Sequence, residues 1–351
     1  MSRFVTAELY PQLVYQRDLN GQPLTKAQLD LVSNAAVHAC DLVGGRHMGY
    51  ILDPSACTYD PTRDAAVLCA SSGGTNSTPA CVTAAQATAI NKIWYGMTVD
   101  GSAPAPSVDN GWAAASVGTF PSGTQRWFGL ARGTSLHAAA LLPRGINGLA
   151  SPAGPFQIAS DYIALALRNP ALAEPSFRNA SGNGRSLWKN LSYAQLSAAY
   201  DRGLVLQPSF GNINTDNPDL SAFRKRGGKM LTWHGLADEF IMPQGTVNYY
   251  RRVIAQQGGD IAAVQSFYRL YLVPAQGHGT PNGTSNTDAN PPTLGLSQMY
   301  ELLRNWVENG IAPNDVVLHG LGGKSRPICV YPKKARYTRG DPDIAASYNC
   351  T

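Results

Sequence analysis

The sequence predicts an α/β fold in which a short parallel sheet adjoins a larger mixed region, the whole held by disulfides. Three observations carry this. Between residues 229 and 309 the order is strand, loop with Asp, helix, strand, loop with His, helix, which is a βαβ unit with a trailing helix and implies parallel strands. The first half instead alternates helical spacing with long stretches rich in Gly, Ser and Pro. The cysteines fall into three close pairs.

Composition sets the outer limits. A chain of 351 residues, 44% hydrophobic and 15% charged, buries a sizeable core and contains one large domain or two ordinary ones. Its 35 Gly and 24 Pro point to many loops. The net charge of +5 is scattered, and the one dense basic run, Lys333, Lys334, Arg336 and Arg339, lacks the interleaved aromatics of a nucleic-acid surface. It reads as a solvated C-terminal face, and no nucleic-acid partner is expected. No stretch reaches about 18 consecutive apolar residues, so no membrane span is expected.

Six cysteines and no CxxC argue for disulfides over zinc or redox use. Many connectivities are open, but nearest-neighbour pairing, Cys40 with Cys57, Cys69 with Cys81 and Cys329 with Cys350, uses all six. Disulfides imply an oxidising compartment, hence a secreted or periplasmic protein. The opening MSRFVTAELYPQLVYQRD has no signal-peptide pattern, which suggests a lost or replaced N-terminus.

The elements follow in order. Residues 1–23 show no strong period. Residues 25–40 read as an amphipathic helix with Leu29, Val32, Ala36, Val37 and Cys40 near helical spacing, and residues 83–95 as a second, ended by Gly96. Residues 96–160 read as loops with short elements; 160–170 and 192–203 read as helices. Asn217-Pro218-Asp219 marks a turn or helix start. Strands are expected at 229–234 (KMLTWH) and 267–273 (FYRLYLV), helices at 244–257 and 297–309.

The chemistry lies in the two loops after those strands. Successive parallel strands bring Asp238 and His278, forty residues apart, to the same carboxyl edge of the sheet. Asp238 would then accept the Nδ1–H of His278 and fix its tautomer, leaving the other ring nitrogen as general base and acid. A triad of this order needs a Ser upstream on a G-x-S-x-G elbow between strand and helix. No serine before Asp238 matches it. Ser71 and Ser72, between Cys69 and Cys81, follow no apolar strand, and Ser122 lies in an irregular region. Single Asp or His residues are mostly structural; two of them, each after a strand and in this order, favour an acid–base pair.

The run Asn217-Pro218-Asp219-Leu220-Ser221-Ala222-Phe223, with Arg226-Gly227-Gly228-Lys229 and His234-Gly235-Leu236-Ala237-Asp238, resembles the segment leading to the acid in the tannase and feruloyl esterase family, whose relatives include the mono(hydroxyethyl) terephthalate hydrolases. Val273-Pro274 through Gly277-His278 resembles its base-bearing loop. Cys40-Asp41, Asp53-Pro54 and Cys57 look like the start of its lid, and Cys329 with Cys350 like its closing disulfide. The resemblance covers the chain from about residue 5 and implies a partial α/β-hydrolase sheet with a large mixed lid domain. On that template residues 1–23 are a remnant of the first catalytic half, 24–222 the lid, and 223–351 the C-terminal part of the catalytic domain. The elbow-bearing half has no counterpart in this sequence.

Two departures from the family stand out. Gly279 replaces the Cys that usually follows the catalytic His. The lid's calcium loop retains Asp41 but has Gly44 and Met48 at acidic positions and Arg46 between them, so no calcium, other metal or cofactor is expected. The resemblance implies a carboxylic ester hydrolase acting on small-molecule or polymer-derived aromatic esters (feruloyl, galloyl or terephthaloyl), with impaired or non-standard catalysis. Trp112, Trp127 and Phe128 are its aromatic-pocket candidates, although buried aromatics mostly form core. The alternative is a non-catalytic module, descended from such an enzyme, that binds an aromatic ligand or pairs with a partner. A two-stranded sheet remnant leaves an edge through which two copies could dimerise.

Overall fold

The computed structural model describes residues 2–137, 157–175, 183–279 and 282–351. Its N-terminal segment is helical where the sequence shows no period. Helices α1 (Ser2–Ala7) and α2 (Tyr10–Asp18) are covered on nearly every side, with Leu9, Leu13 and Val14 fully buried. In α2 the polar Gln12 is buried among apolar residues and Gln16, Arg17 and Asp18 follow at its end, so polar and apolar residues do not separate into two faces and no period shows.

Helix α3 (Lys26–Cys40) opens on a capping box: the Thr25 hydroxyl accepts from the Gln28 N–H while the Gln28 side chain reaches back to the Thr25 N–H. The expected face, Leu29, Val32, Ala36 and Val37, is buried. A short hairpin, β1 (Leu42–Val43) and β2 (Arg46–His47), follows. Helix α4 (Ala84–Tyr95) repeats the capping box with Thr83 and Gln86. It stops at Gly96, at φ +111°, where an added Cβ would lie 2.3 Å from the Trp127 carbonyl oxygen.

Helix α5 (Ala113–Val117) is the short element in the Gly/Pro-rich stretch, the end of which lies outside the described residues. Helix α6 spans Gln157–Ala166 and ends earlier than its apolar pattern suggests, because Asn169 precedes Pro170 and cannot remain helical. Helix α7 (Tyr193–Val205) has the third capping box, Ser192 with Gln195. α1 and α2 pack against α6, α7 and α4, joining the first residues to the helical region in one large core.

After the short α8 (Ser221–Lys225) comes β3 (Met230–Gly235), then α9 (Pro243–Gln256), α10 (Ile261–Gln265) and β4 (Tyr268–Val273). β3 and β4 are parallel, with Met230 opposite Tyr268 and Gly235 opposite Val273. Tyr268, Leu270 and Leu272 face α9, where the Tyr250 hydroxyl donates to the Tyr268 carbonyl. Tyr271 and Val273 face a second core with Met299 of α11 (Leu296–Asn309).

The last forty residues, which the sequence leaves unassigned beyond their disulfide, form two antiparallel pairs: β5 (Val316–His319) with β6 (Ser325–Ile328), and β7 (Ala335–Tyr337) with β8 (Tyr348–Cys350). Val330 bridges Tyr271, and the Tyr331 N–H donates to the Leu270 carbonyl at 2.9 Å, so this segment covers the far edge of β4. Among the described residues no strand pairs with the other edge of β3. All three disulfides form as expected, Cys40–Cys57, Cys69–Cys81 and Cys329–Cys350. No described helix is long and apolar enough to cross a membrane.

Candidate active site

The loops after β3 and β4 meet at the carboxyl edge of the strand pair. Their close crossing depends on Gly235, where a Cβ would sit 2.2 Å from the Gln276 carbonyl oxygen. That approach lets the Ala237 N–H donate to Gln276 at 3.0 Å and brings Asp238 to His278. Asp238 Oδ2 lies 3.2 Å from His278 Nδ1.

Asp238 is 6% exposed, yet every lone-pair direction of its carboxylate is used. Oδ1 accepts from the backbone N–H groups of Phe240 and Ile241, each at 2.9 Å. Oδ2 receives His278 and also His234 Nε2, at 3.2 Å. Burial alone would raise the acid's pKa; the hydrogen bonds from His234, His278 and the backbone overcome it and hold the carboxyl well below the usual carboxylate range.

On the sequence His234 stands only within the motif before Asp238; in the structure its neighbours show what it does. Its Nε2 lies 2.8 Å from the Ile241 carbonyl, which can only accept, so Nε2 carries a proton. Its Nδ1 then meets the Thr246 hydroxyl at 2.7 Å. A His four residues before an Asp, at a strand end, was the available signal.

His278 is half-exposed, with its ring edge-on to Phe240 at 5.0 Å. The hydrogen bond to Asp238 raises its pKa above the ordinary histidine value, against a smaller opposing effect of burial. Its backbone N–H donates to Glu239 at 3.0 Å, a second buried carboxyl that the sequence reading missed. With Nδ1 tied to Asp238, no described residue hydrogen-bonds Nε2, the nitrogen a general base needs free. A concave region of about 480 Å³ beside the pair is lined by Trp233, His234, Gly235 and Asp238.

A third carboxyl, Glu8 at the α1–α2 junction, is 3% exposed, and its Oε1 has no hydrogen-bond partner. Burial, reinforced by the charge of Asp238, raises its pKa well above the ordinary range. Over the window where the unfolded chain has lost this proton the fold keeps it, so stability falls as pH rises from the ordinary Glu range toward the raised folded value. Glu8→Gln removes that titration. Its urea midpoint should exceed the parent's at pH 7.5 and converge with it near pH 4; an offset independent of pH would rule this out.

The aromatic candidates separate. Trp127 and Phe128 lie in the main core with ring centroids 5.1 Å apart, Trp127 resting on Gly245 at the start of α9. Trp112, also buried, lines a different cavity from the one beside His278. Ser71 and Ser72 sit in a 3-10 turn inside the Cys69–Cys81 loop, not between a strand and a helix. In the loop after α3, Asp41 Oδ1 meets His47 Nδ1 at 2.5 Å, and Oδ2 accepts from the Gly49 N–H at 2.7 Å.

A buried carboxylate and a half-exposed imidazole thus stand hydrogen-bonded at the ends of successive parallel strands. The profile described as "Tannase and feruloyl esterase" matches residues 2–351, and the chain belongs to that family. It is 28% identical over 361 residues to a probable feruloyl esterase of Arthroderma benhamiae, covering 99% of this chain and 56% of that protein. It is 26% identical over 359 residues to the mono(2-hydroxyethyl) terephthalate hydrolase of Piscinibacter sakaiensis, covering 95% of this chain and 54% of that one. The crystal structure of feruloyl esterase B from Aspergillus oryzae superposes with a TM-score of 0.69 at 21% identity, over 99% of this chain and 62% of that one, and shares the fold. The chain thus spans about half the length of the curated relatives it matches.

Proposed function

We propose that this chain carries the acid–base machinery of a carboxylic ester hydrolase acting on aromatic esters. The observation that carries the reading is the Asp238–His278 pair at 3.2 Å, with Nδ1 occupied and Nε2 open. Relatives named as feruloyl esterases and as a mono(2-hydroxyethyl) terephthalate hydrolase support the substrate class.

His278 Nε2 takes a proton from the attacking hydroxyl as its oxygen bonds to the ester carbonyl carbon. The imidazolium, stabilised by ionised Asp238, then protonates the departing alkoxide as the tetrahedral adduct collapses to acid and alcohol. No G-x-S-x-G occurs in these 351 residues, so the attacking hydroxyl is a water, a serine outside that motif, or a serine outside these residues. Water attack forgoes the covalent step, and a missing oxyanion donor alone lowers the rate by about 10²–10³.

Residues 24–222 serve as the cover over the site and 223–351 as its catalytic part. Buried Asp41, paired with exposed His47, takes the place of a cation site in the degenerate loop, since one carboxylate beside an imidazole and Arg46 is a poor donor set for calcium. Three disulfides suit a secreted or periplasmic protein.

The test is hydrolysis of methyl ferulate by the purified chain beside His278→Ala. Turnover above the blank that is lost in His278→Ala is expected; equal rates in both would end this reading. A second reading, a pairing module, is favoured by the open edge of β3, which offers unpaired backbone groups to a second copy. Sedimentation of a monomer at every concentration would exclude self-pairing.

A further inference from the structure

A cavity of about 260 Å³ lies between α9, the carboxyl end of β4 and the segment after β6, and it shares no lining residue with the cavity beside His278. Its floor is apolar: Leu272 and Val247 from the α9 side of the strand pair, with Trp112 buried in the wall. Its rim is cationic. Arg251, Lys333, Lys334 and Arg336 all line it, against one carboxylate, Asp53.

The charges do not cancel. Lys334 Nζ reaches Asp53 at 2.7 Å and neutralises it. Arg251, Lys333 and Arg336 have no ion pair among the described residues. Arg251 is held in place: its Nε donates to the Tyr331 hydroxyl at 2.8 Å, and Gly118, at φ +76°, packs where a Cβ would lie 2.5 Å from its own Cβ. One donor is thereby spent, and the remaining guanidinium N–H groups stay available in the planar fork that matches a carboxylate.

We propose that this cavity is a binding site for an aryl carboxylate, its ring against Trp112 and Leu272 and its carboxylate on Arg251, with Lys333 and Arg336 supplying further positive potential. The volume falls just below the range of about 300–1,000 Å³ typical of drug-sized ligands, so a single ring with a short substituent is the fitting size. Three uncompensated cations over an apolar floor select against neutral rings, which gain nothing from the rim, and against small inorganic anions, which gain nothing from the floor. The site stands independently of whether the Asp238–His278 pair turns over esters.

Benzoate is the probe, with benzamide and inorganic phosphate as comparators, followed by calorimetry and by Trp fluorescence on the full chain. Benzoate should bind one to one, and more tightly than either comparator. Arg251→Gln should weaken it about tenfold or more, the effect of losing a charge-assisted hydrogen bond. Lys333→Gln with Arg336→Gln, both at exposed positions, should weaken it without changing the thermal midpoint, which keeps the test valid if the Arg251 variant folds poorly. His278→Ala should bind as the parent does. Equal affinity for benzoate and benzamide, phosphate binding as tight as benzoate, unchanged binding in the Lys333/Arg336 variant, or loss in His278→Ala would each overturn the proposal.

Discussion

Asp238→Asn is expected to lower turnover of an aromatic ester by about 10²–10⁴, the span general acid–base catalysis contributes. The change keeps the shape of the side chain and leaves room for the backbone N–H groups of Phe240 and Ile241 at the remaining oxygen. What it removes is the charge that fixes the tautomer of His278. An amide can turn its NH2 toward Nδ1, which places the imidazole proton on Nε2, where the base must be bare. The pH profile separates this from a simple loss of packing. The hydrogen bond and charge of Asp238 raise the pKa of His278, and a general base works only when neutral. In the parent, the rate therefore climbs as pH rises through that raised value. In Asp238→Asn the residual rate should climb at lower pH, because the raising influence has gone. Parent-like turnover, or a residual limb at the same or higher pH, would remove Asp238 from the proposed mechanism.

The parallel pair, its two loops and the Asp–His coincidence were legible because each rests on local pattern. KMLTWH and FYRLYLV are short apolar runs, and chain order alone sets their loops at one edge. The helix from Thr25 was legible from apolar residues at helical spacing and the helix from Thr83 from its stop at Gly96, whereas the capping boxes that open them, and the one at Ser192, appear only in the structure. Other features could not be read that way. Helix α1 is six residues long and α2 buries Gln12 among its apolar residues, so neither shows a period. The β5–β8 hairpins are three or four residues long, too short for alternation to rise above noise. His234 and Glu239 act through contacts that exist only once the loops cross at Gly235. The cationic cavity gathers residues from five distant parts of the chain; on the sequence, Lys333 to Arg339 reads as a solvated surface, and the unpaired charges are seen to converge only when Arg251 is placed beside Lys333 and Arg336.

Replacing Cys329 and Cys350 together by Ala should lower the unfolding free energy by about 3 kcal/mol, the loop-closure value for a cross-link of this span. Because that entropy depends only logarithmically on loop length, removing Cys69–Cys81, with a separation of 12 against 21, should cost nearly as much. The two losses should differ in where they are felt. Cys69 and Cys81 close a loop that Thr75 and Asn76 also tie back, through backbone bonds to Ala65 and Leu68. Cys329 instead adjoins Val330 and Tyr331, which cover the edge of β4 and fix the hydroxyl that holds Arg251. Without Cys329–Cys350 the C-terminal strand is tied back through the three-residue pairing of β7 with β8, and the segment at the β4 edge loses its covalent anchor. Amide exchange at Tyr331 should therefore quicken in this variant and stay slow in the Cys69/Cys81 variant, at matched global stability adjusted with urea. Equal exchange at Tyr331 in both would mean that the β4 edge is held by its own packing and that the disulfide acts on the unfolded chain alone.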